Sequence, residues 1–150
     1  VGDLRTVAAA AGLPNYPFEK MDILDQEGIA GCFRQFAPHA VFHLAAETHV
    51  DRSIDSPSKF METNIHGSFA MLQIALAYWS NLDTSKKERF RFIHVSTDEV
   101  YGSFGDEGFF TESTAYRPNS PYSASKAAGD HLARAWHVTY GFPQSFTARP

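Results

Sequence analysis

Cysteine is almost missing: Cys32 stands alone among 150 residues, so no internal disulfide can form. Its place in an apolar helical pattern points to a packed thiol in a reduced, cytoplasmic setting. Long apolar runs are missing too, none nearing the ~18 residues a membrane span requires. The opening Val1-Gly2-Asp3-Leu4-Arg5 lacks the layout of a signal peptide, so a soluble protein is expected. No basic block exists: 13 Lys and Arg are scattered against 17 Asp and Glu, giving a net charge of -4 that makes nucleic acid a poor partner. The seven histidines, including His39, His43, His49, His66 and His94, never take a ligand spacing such as His-Glu-x-x-His, so no metal is expected. The chain also lacks repeats and low-complexity tracts. With 43% hydrophobic and 20% charged residues it has the composition of one folded domain. It does not begin with Met and stops at Thr147-Ala148-Arg149-Pro150, within a strand-like run and turn, and is read as a piece of a longer protein.

What is present alternates between short strand-like runs and longer helical ones, the pattern of a parallel sheet covered by helices, an α/β fold. Residues 18–21 read as a short strand ending at Asp22, and Asp25 as the N-cap of a helix to about Phe36. Val41-Phe42-His43-Leu44-Ala45-Ala46 is a compact apolar run of the kind buried on both faces. Ser56-Pro57 then caps a helix running to about Trp79 with Phe60, Ile65, Phe69, Leu72, Ala75 and Leu76 at helical spacing. Lys86-Lys87-Glu88-Arg89 reads as a solvated connection, and Phe90-Arg91-Phe92-Ile93-His94-Val95 as a strand. The stretch 102–119 is long for a simple crossover, which favours a binding role. Ser120-Pro121 opens a helix that ends near Tyr140-Gly141, where glycine suits the C-terminal cap, and residues 143–147 form the next strand.

In an open parallel sheet, ligands bind beyond the carboxyl ends of the strands. Here the first strand ends in Asp22, the second runs into Glu47-Thr48-His49 and the third into Ser96-Thr97-Asp98-Glu99. Any one of these could be an ordinary cap; their concentration on one rim is what points to chemistry. Tyr122 and Lys126 lie four apart at a helix start, so their heads can converge. A phenol of pKa about 10 costs roughly 4 kcal/mol to ionise at pH 7. A neighbouring ammonium and a cationic nicotinamide would lower that cost. A lone Tyr-x-x-x-Lys is common; one that follows a strand ending in Ser-Thr is not.

Ser96-Thr97 followed by Tyr122-x-x-x-Lys126 resembles the extended short-chain dehydrogenase/reductase family, whose members act on nucleotide sugars with a bound nicotinamide dinucleotide. The match tightens toward the nucleotide-sugar 4,6-dehydratases of that family. It rests on His43-Leu44-Ala45-Ala46-Glu47-Thr48-His49-Val50-Asp51-Arg52-Ser53, Glu62-Thr63-Asn64-Ile65-x-Gly67, Ser96-Thr97-Asp98-Glu99-Val100-Tyr101-Gly102 and Ser120-Pro121-Tyr122-Ser123-Ala124-Ser125-Lys126. The resemblance implies a Rossmann-like, doubly wound parallel sheet, present in part, and NAD as cofactor. It places Asp22 and Ile23 beside the adenine, Leu44, Ala45, Ala46 and Thr63 along the dinucleotide, and Tyr122 and Lys126 at the nicotinamide ribose. It makes Thr48 and Thr97 substrate contacts, with Thr48 where serine is frequent. It also implies a homodimer built through the helices after Ser56 and Ser120.

The chemistry so implied is dehydration of dTDP-glucose. Tyr122 takes the 4-hydroxyl proton during oxidation at carbon 4, with Thr97 bonded to the same hydroxyl. Glu99 then removes the carbon 5 proton while Asp98 protonates the departing 6-hydroxyl. The two carboxyls must hold opposite protonation states, which burial and mutual repulsion favour. NAD is regenerated each turn and so stays bound. The Gly-x-x-Gly-x-x-Gly turn that would meet the pyrophosphate, and a C-terminal substrate domain, are expected outside this chain. A 4-epimerase or another hexose-nucleotide dehydratase on the same scaffold, or a silent binding module, are the competing readings. Asp51-Arg52 reads as a structural ion pair, Met61, Met71, Trp79 and Trp136 as packing residues, and Phe104, Phe109 and Phe110 as a buried or base-stacking cluster.

Overall fold

Residues 4–103, 109–111 and 113–147 are described by the structure, a computed structural model. The readings made on residues 1–3, on Phe104 and on the turn at 148–150 lie outside them. After a 3-10 turn (Leu4–Val7) come α1 (Gln26–Phe36), β1 (Ala40–His43), α2 (Val50–Asp55), α3 (Pro57–Phe60), a π-helical segment (Met61–Gly67) and α4 (Ser68–Ser80). Then follow α5 (Thr84–Arg89), β2 (Arg91–Val95), a 3-10 turn (Asp98–Tyr101), α6 (Pro121–Tyr140) and β3 (Gln144–Thr147).

The strands form one parallel sheet in the order β1-β2-β3, with Val41 opposite Phe92 and His94 opposite Phe146. Sequential parallel strands with helical crossovers are one half of the doubly wound pattern. The core lies between the sheet and one helical layer: Ile29 and Phe33 of α1, Leu72 and Ala75 of α4, and Ala133 of α6 enclose Phe90, Phe92 and Phe142. Phe142 meets Phe90, Phe92 and Trp79 ring to ring at 5.7–6.0 Å. Trp136 packs on Phe69.

Local signals explain the helix ends. The Asp25 carboxylate accepts from the Gly28 N–H at 3.0 Å. Ser120 and Ser123 make a reciprocal capping box at the start of α6, Pro121 follows, and Gly141 closes the helix in the left-handed region at φ 66°. Ser56 differs: Pro57 does open α3, but the Ser56 side chain makes no capping bond. Residues 86–89 belong to the short, solvated α5, which Asp83 caps through the Lys86 N–H at 2.9 Å.

Two expectations about strands fail. Residues 18–21 form no strand, because no backbone lies beside them to complete a ladder among the described residues, and Phe18 is 50% exposed. β1 is not buried on both faces. Among the described residues it is an edge strand whose inner side chains Val41 and His43 meet the helical layer, while Phe42 is 66% exposed on the other face. Asp51 and Arg52 are both exposed, with no ion pair between them.

The π-helical segment inserts Asn64 into the interior. Its Oδ1 accepts from the Glu47 N–H at 2.8 Å, and its Nδ2 donates to the Glu47 carbonyl and to Ser125 Oγ at 3.0 and 2.9 Å. One amide thus joins the segment after β1, the helix after it and α6. In urea titrations, Phe92→Ala is expected to lose about 3–5 kcal/mol. Asn64→Ala should lose about 2–3 kcal/mol, because the buried Ser125 hydroxyl and the half-buried Glu47 N–H and carbonyl lose their partner. The exposed Gln73→Ala should stay within about 0.5 kcal/mol. Equal losses in all three would contradict this packing.

Candidate functional site

β2 ends at Val95, and the chain leaves the sheet through Ser96 and Thr97 into the 3-10 turn Asp98–Tyr101. Thr97 caps that turn: its backbone is extended and its hydroxyl accepts from the Glu99 N–H at 3.4 Å. The turn presents Asp98 and Glu99 to solvent while Val100 and Tyr101 pack inward against Ala127. Gly102 then turns at φ 96°, where a Cβ would stand 2.6 Å from the Arg117 carbonyl, so only glycine fits. The Arg117 N–H donates to the Val100 carbonyl at 2.9 Å, which brings the far end of the 102–119 stretch back to the turn.

The first two turns of α6 dock on this strand end. Tyr122 is 8% exposed, packs edge-on to Phe60 at 6.3 Å, and its phenol lies beside the Thr97 side chain. Burial pushes the Tyr122 phenol up from its ordinary pKa, the Thr97 side chain pulls it down, and the charges of Glu99 and Asp98 push it up again. Lys126 is 6% exposed, and its Nζ donates to the Val95 carbonyl at 2.5 Å. Burial depresses the Lys126 ammonium, and the Asp130 carboxylate opposes that. The helical spacing therefore does bring the phenol, the ammonium, Thr97 and the two carboxyls to one strand end.

Other sequence-derived residues fall around this centre. Leu44 and Ala45 are exposed and Ala46 half-buried just beyond β1. Thr63 is half-buried in the π-helical segment, and Thr48 is exposed ahead of α2. Asp22 is exposed, and its carboxylate accepts from the Leu24 N–H at 2.9 Å. Ile23 packs so closely on Gly67 that a Cβ there would collide with it. No hydrogen bond or ion pair joins Asp22 or Thr48 to the Tyr122–Lys126 pair. Burial of the two carboxyls is also absent: Asp98 and Glu99 are both exposed on a one-turn helix. In the aromatic cluster, Phe109 is 90% exposed, while Phe110 lies on Tyr101 at 5.3 Å.

Sequence reasoning missed the polar layer beneath the pair. Asp130 is 3% exposed and accepts from Ser96 Oγ at 2.5 Å and from the Tyr116 hydroxyl at 2.9 Å. His94 Nε2 lies 3.2 Å from its other oxygen, off the alignment of a hydrogen bond. His43, stacked 5.4 Å from His94 and bonded to Ser68 Oγ at 3.0 Å, is pushed down to about pKa 3 by burial and then by the charges of His94 and Lys126, and so is neutral. A signal was available. Tyr122, Lys126 and Asp130 follow one another at i, i+4 and i+8, a polar stripe on the face of α6 that packing would make apolar. A cleft of about 410 Å³ between α1 and α4 is lined by Phe33, Ile74 and Tyr78 and holds none of these residues.

Known proteins are similar to this chain in sequence and in fold. The probable dTDP-glucose 4,6-dehydratase of Sinorhizobium fredii is 54% identical over 142 residues, covering 95% of this chain and 41% of that protein. A dTDP-glucose 4,6-dehydratase of Streptomyces venezuelae, crystallised with NAD, superposes with a TM-score of 0.85 at 43% identity, over 97% of this chain and 41% of its own. A UDP-glucose 4-epimerase of Brucella ovis, in complex with NAD, superposes at 0.74 with 26% identity, over 86% and 37%. The chain thus spans about two fifths of the length of the dehydratases it matches, 41% in each case. The sequence model of the GDP-mannose 4,6 dehydratase family matches residues 2–148, and the chain belongs to that family.

Proposed function

We propose that this chain is the catalytic part of an NAD-binding domain, and that the full-length protein converts dTDP-glucose to its 4-keto-6-deoxy product. The observation that carries the reading is the adjacent pair Asp98 and Glu99 on a one-turn helix directly after Thr97, beside a buried Tyr122 and Lys126. A tyrosine–lysine pair alone serves oxidation; elimination of water needs an acid and a base as well. The similarity to dTDP-glucose 4,6-dehydratases supports the same reading.

The residues fit a bound dinucleotide. The end of β1 offers the exposed Leu44 and Ala45 and the half-buried Ala46, an apolar edge open to a flat ligand. Asp22 and Ile23 would hold the adenine end, and Thr63 the middle. Lys126 has three donors and gives one to Val95, which leaves two for ribose hydroxyls. The glycine-rich turn for the pyrophosphate and a substrate domain would come from the remainder of the protein. When bound, NAD supplies the hydride acceptor at carbon 4 and the hydride donor at carbon 6.

Each protein residue then has a proton or a position to manage. Thr97 and Tyr122 hold the 4-hydroxyl between them, and Tyr122 takes its proton. Since burial raises the phenol, the charged Lys126 is required to make that transfer possible near neutral pH. The new ketone acidifies carbon 5, and Glu99 removes that proton. Asp98 donates to the departing 6-hydroxyl, water leaves, and carbon 5 is reprotonated when carbon 6 is reduced. Both carboxyls are exposed in the free site, so the sugar itself, seated against Thr48 and Thr97, would cover them and drive their protonation states apart.

A reduced, cytoplasmic setting accords with the single free Cys32. Among the described residues no helix is long and apolar enough to cross a membrane. A homodimer through the helices after Ser56 and Ser120 accords with exposed Phe69 on α4 and Val138 and Tyr140 on α6.

The direct test is to incubate the full-length protein with dTDP-glucose and NAD. The 4-keto-6-deoxy sugar nucleotide is the expected product; a 4-epimer in its place would overturn the dehydratase reading. Glu99→Gln and Asp98→Asn are expected to slow loss of water by about 10²–10⁴-fold while oxidation at carbon 4 persists. Mass spectrometry of quenched reactions reads this as a 4-keto hexose that retains its 6-hydroxyl. Equal loss of both steps would contradict the roles given to the two carboxyls.

A further inference from the structure

Beneath the redox pair, α6 carries a third polar residue on the same face. Asp130 follows Lys126 by four residues, a spacing that brings Cβ atoms to about 5–6 Å. Its carboxylate is 3% exposed and enclosed on every side by this chain's own groups: Ser96 Oγ and the Tyr116 hydroxyl donate to one oxygen, and His94 faces the other. A carboxylate is not buried this deeply unless its charge is matched. The hydroxyls of Ser96 and Tyr116 stabilise it without cancelling it. Two cations lie one turn from it along α6: Arg134, which is exposed, and Lys126, which is buried and given only one neutral acceptor, the Val95 carbonyl.

We propose that Asp130 is a positioning residue for the redox pair: its buried carboxylate keeps the Lys126 ammonium charged, and its bond to Ser96 holds the strand end that carries Thr97. This rests on the reading of Tyr122 and Lys126 as the redox pair. The electrostatic logic is that a buried ammonium loses its proton readily, and a neutral amine cannot lower the cost of the Tyr122 phenolate. A fixed negative charge one helical turn away on the side opposite the phenol offsets the burial. It does so without contact with substrate, so the phenol, Asp98 and Glu99 stay free for the sugar.

The groups around the ammonium set the sign of the pH effect. From α6 it faces Asp130, from β1 His43, and from β2 the Val95 carbonyl; Tyr122 answers to Thr97, Asp98 and Glu99. His43 is neutral throughout the working range, and Tyr116 is raised by burial and by Asp130, so neither supplies the charge. His94 is the remaining titratable neighbour of Asp130. Removal of the carboxylate makes the ammonium lose its proton at lower pH. Activity should then be lost earlier as pH rises.

The test uses the full-length protein with NAD bound. Asp130→Asn keeps the shape and can still accept from Ser96 and Tyr116, but has no charge. Its alkaline limb of kcat against pH is expected to move down by roughly one pH unit. Tyr116→Phe removes one hydrogen bond and keeps the charge, and its limb should stay where the wild type has it. An Asp130→Asn limb that does not move, or an equal shift in both variants, overturns the proposal. Should Asp130→Asn fail to fold, ¹⁵N NMR of the lysine side chains in the wild type decides instead: Lys126 protonated across the active pH range supports the proposal, and a neutral Lys126 within it overturns it. A wild-type protein without dehydratase activity would sink the functional reading, while the lysine titration would still judge this inference.

Discussion

The bond from the Lys126 ammonium to the Val95 carbonyl fixes where α6 begins relative to where β2 ends. The residues proposed to move protons, Tyr122, Asp98 and Glu99, lie within a few residues of those two points. Four residues back along the helix, one turn, the Tyr122 phenol meets Thr97, two residues beyond Val95. One turn forward, Asp130 takes Ser96 by a second bond. Strand end and helix start are therefore stitched at three successive levels, and a shift of α6 by one turn would break all three at once.

The stitching also governs the charges. The interior holds an ammonium, a carboxylate and two imidazoles, a costly set to bury. The arrangement limits the cost by giving Asp130 two hydroxyl donors and by leaving His43 neutral against Ser68. The outer carboxyls, Asp98 and Glu99, remain in solvent on a short turn that Thr97 caps and Gly102 ends. A buried tyrosine–lysine pair and an exposed pair of carboxyls thus share one strand end, with Thr97 between them.

Much of this was legible in the sequence, for identifiable reasons. Ser120-Pro121 and Gly141 bound α6 because capping chemistry is local, and the i, i+4 spacing of Tyr122 and Lys126 survives folding because it belongs to the helix itself. The strand from Arg91 to Val95 was readable from its β-branched and aromatic run. Residues 18–21 were not, since a strand depends on a neighbour that lies elsewhere in the chain or beyond it. Phe42 was misjudged for the same reason: apolar character does not say which face is covered. Asp130, His94 and Asn64 escaped because each takes its meaning from a partner 17 to 61 residues away. Burial of polar groups is a tertiary fact, and only the Tyr122-Lys126-Asp130 stripe hinted at it.

The central claim is that one strand end oxidises carbon 4 and then removes water across carbons 5 and 6, within a single site and with one resident cofactor. Deuterium placed at carbon 4 of dTDP-glucose tests it most directly, with full-length protein and product analysis by NMR. The account predicts that the label appears at carbon 6 of a 4-keto-6-deoxy product. Label that stays at carbon 4, in a sugar inverted at that carbon, would contradict it.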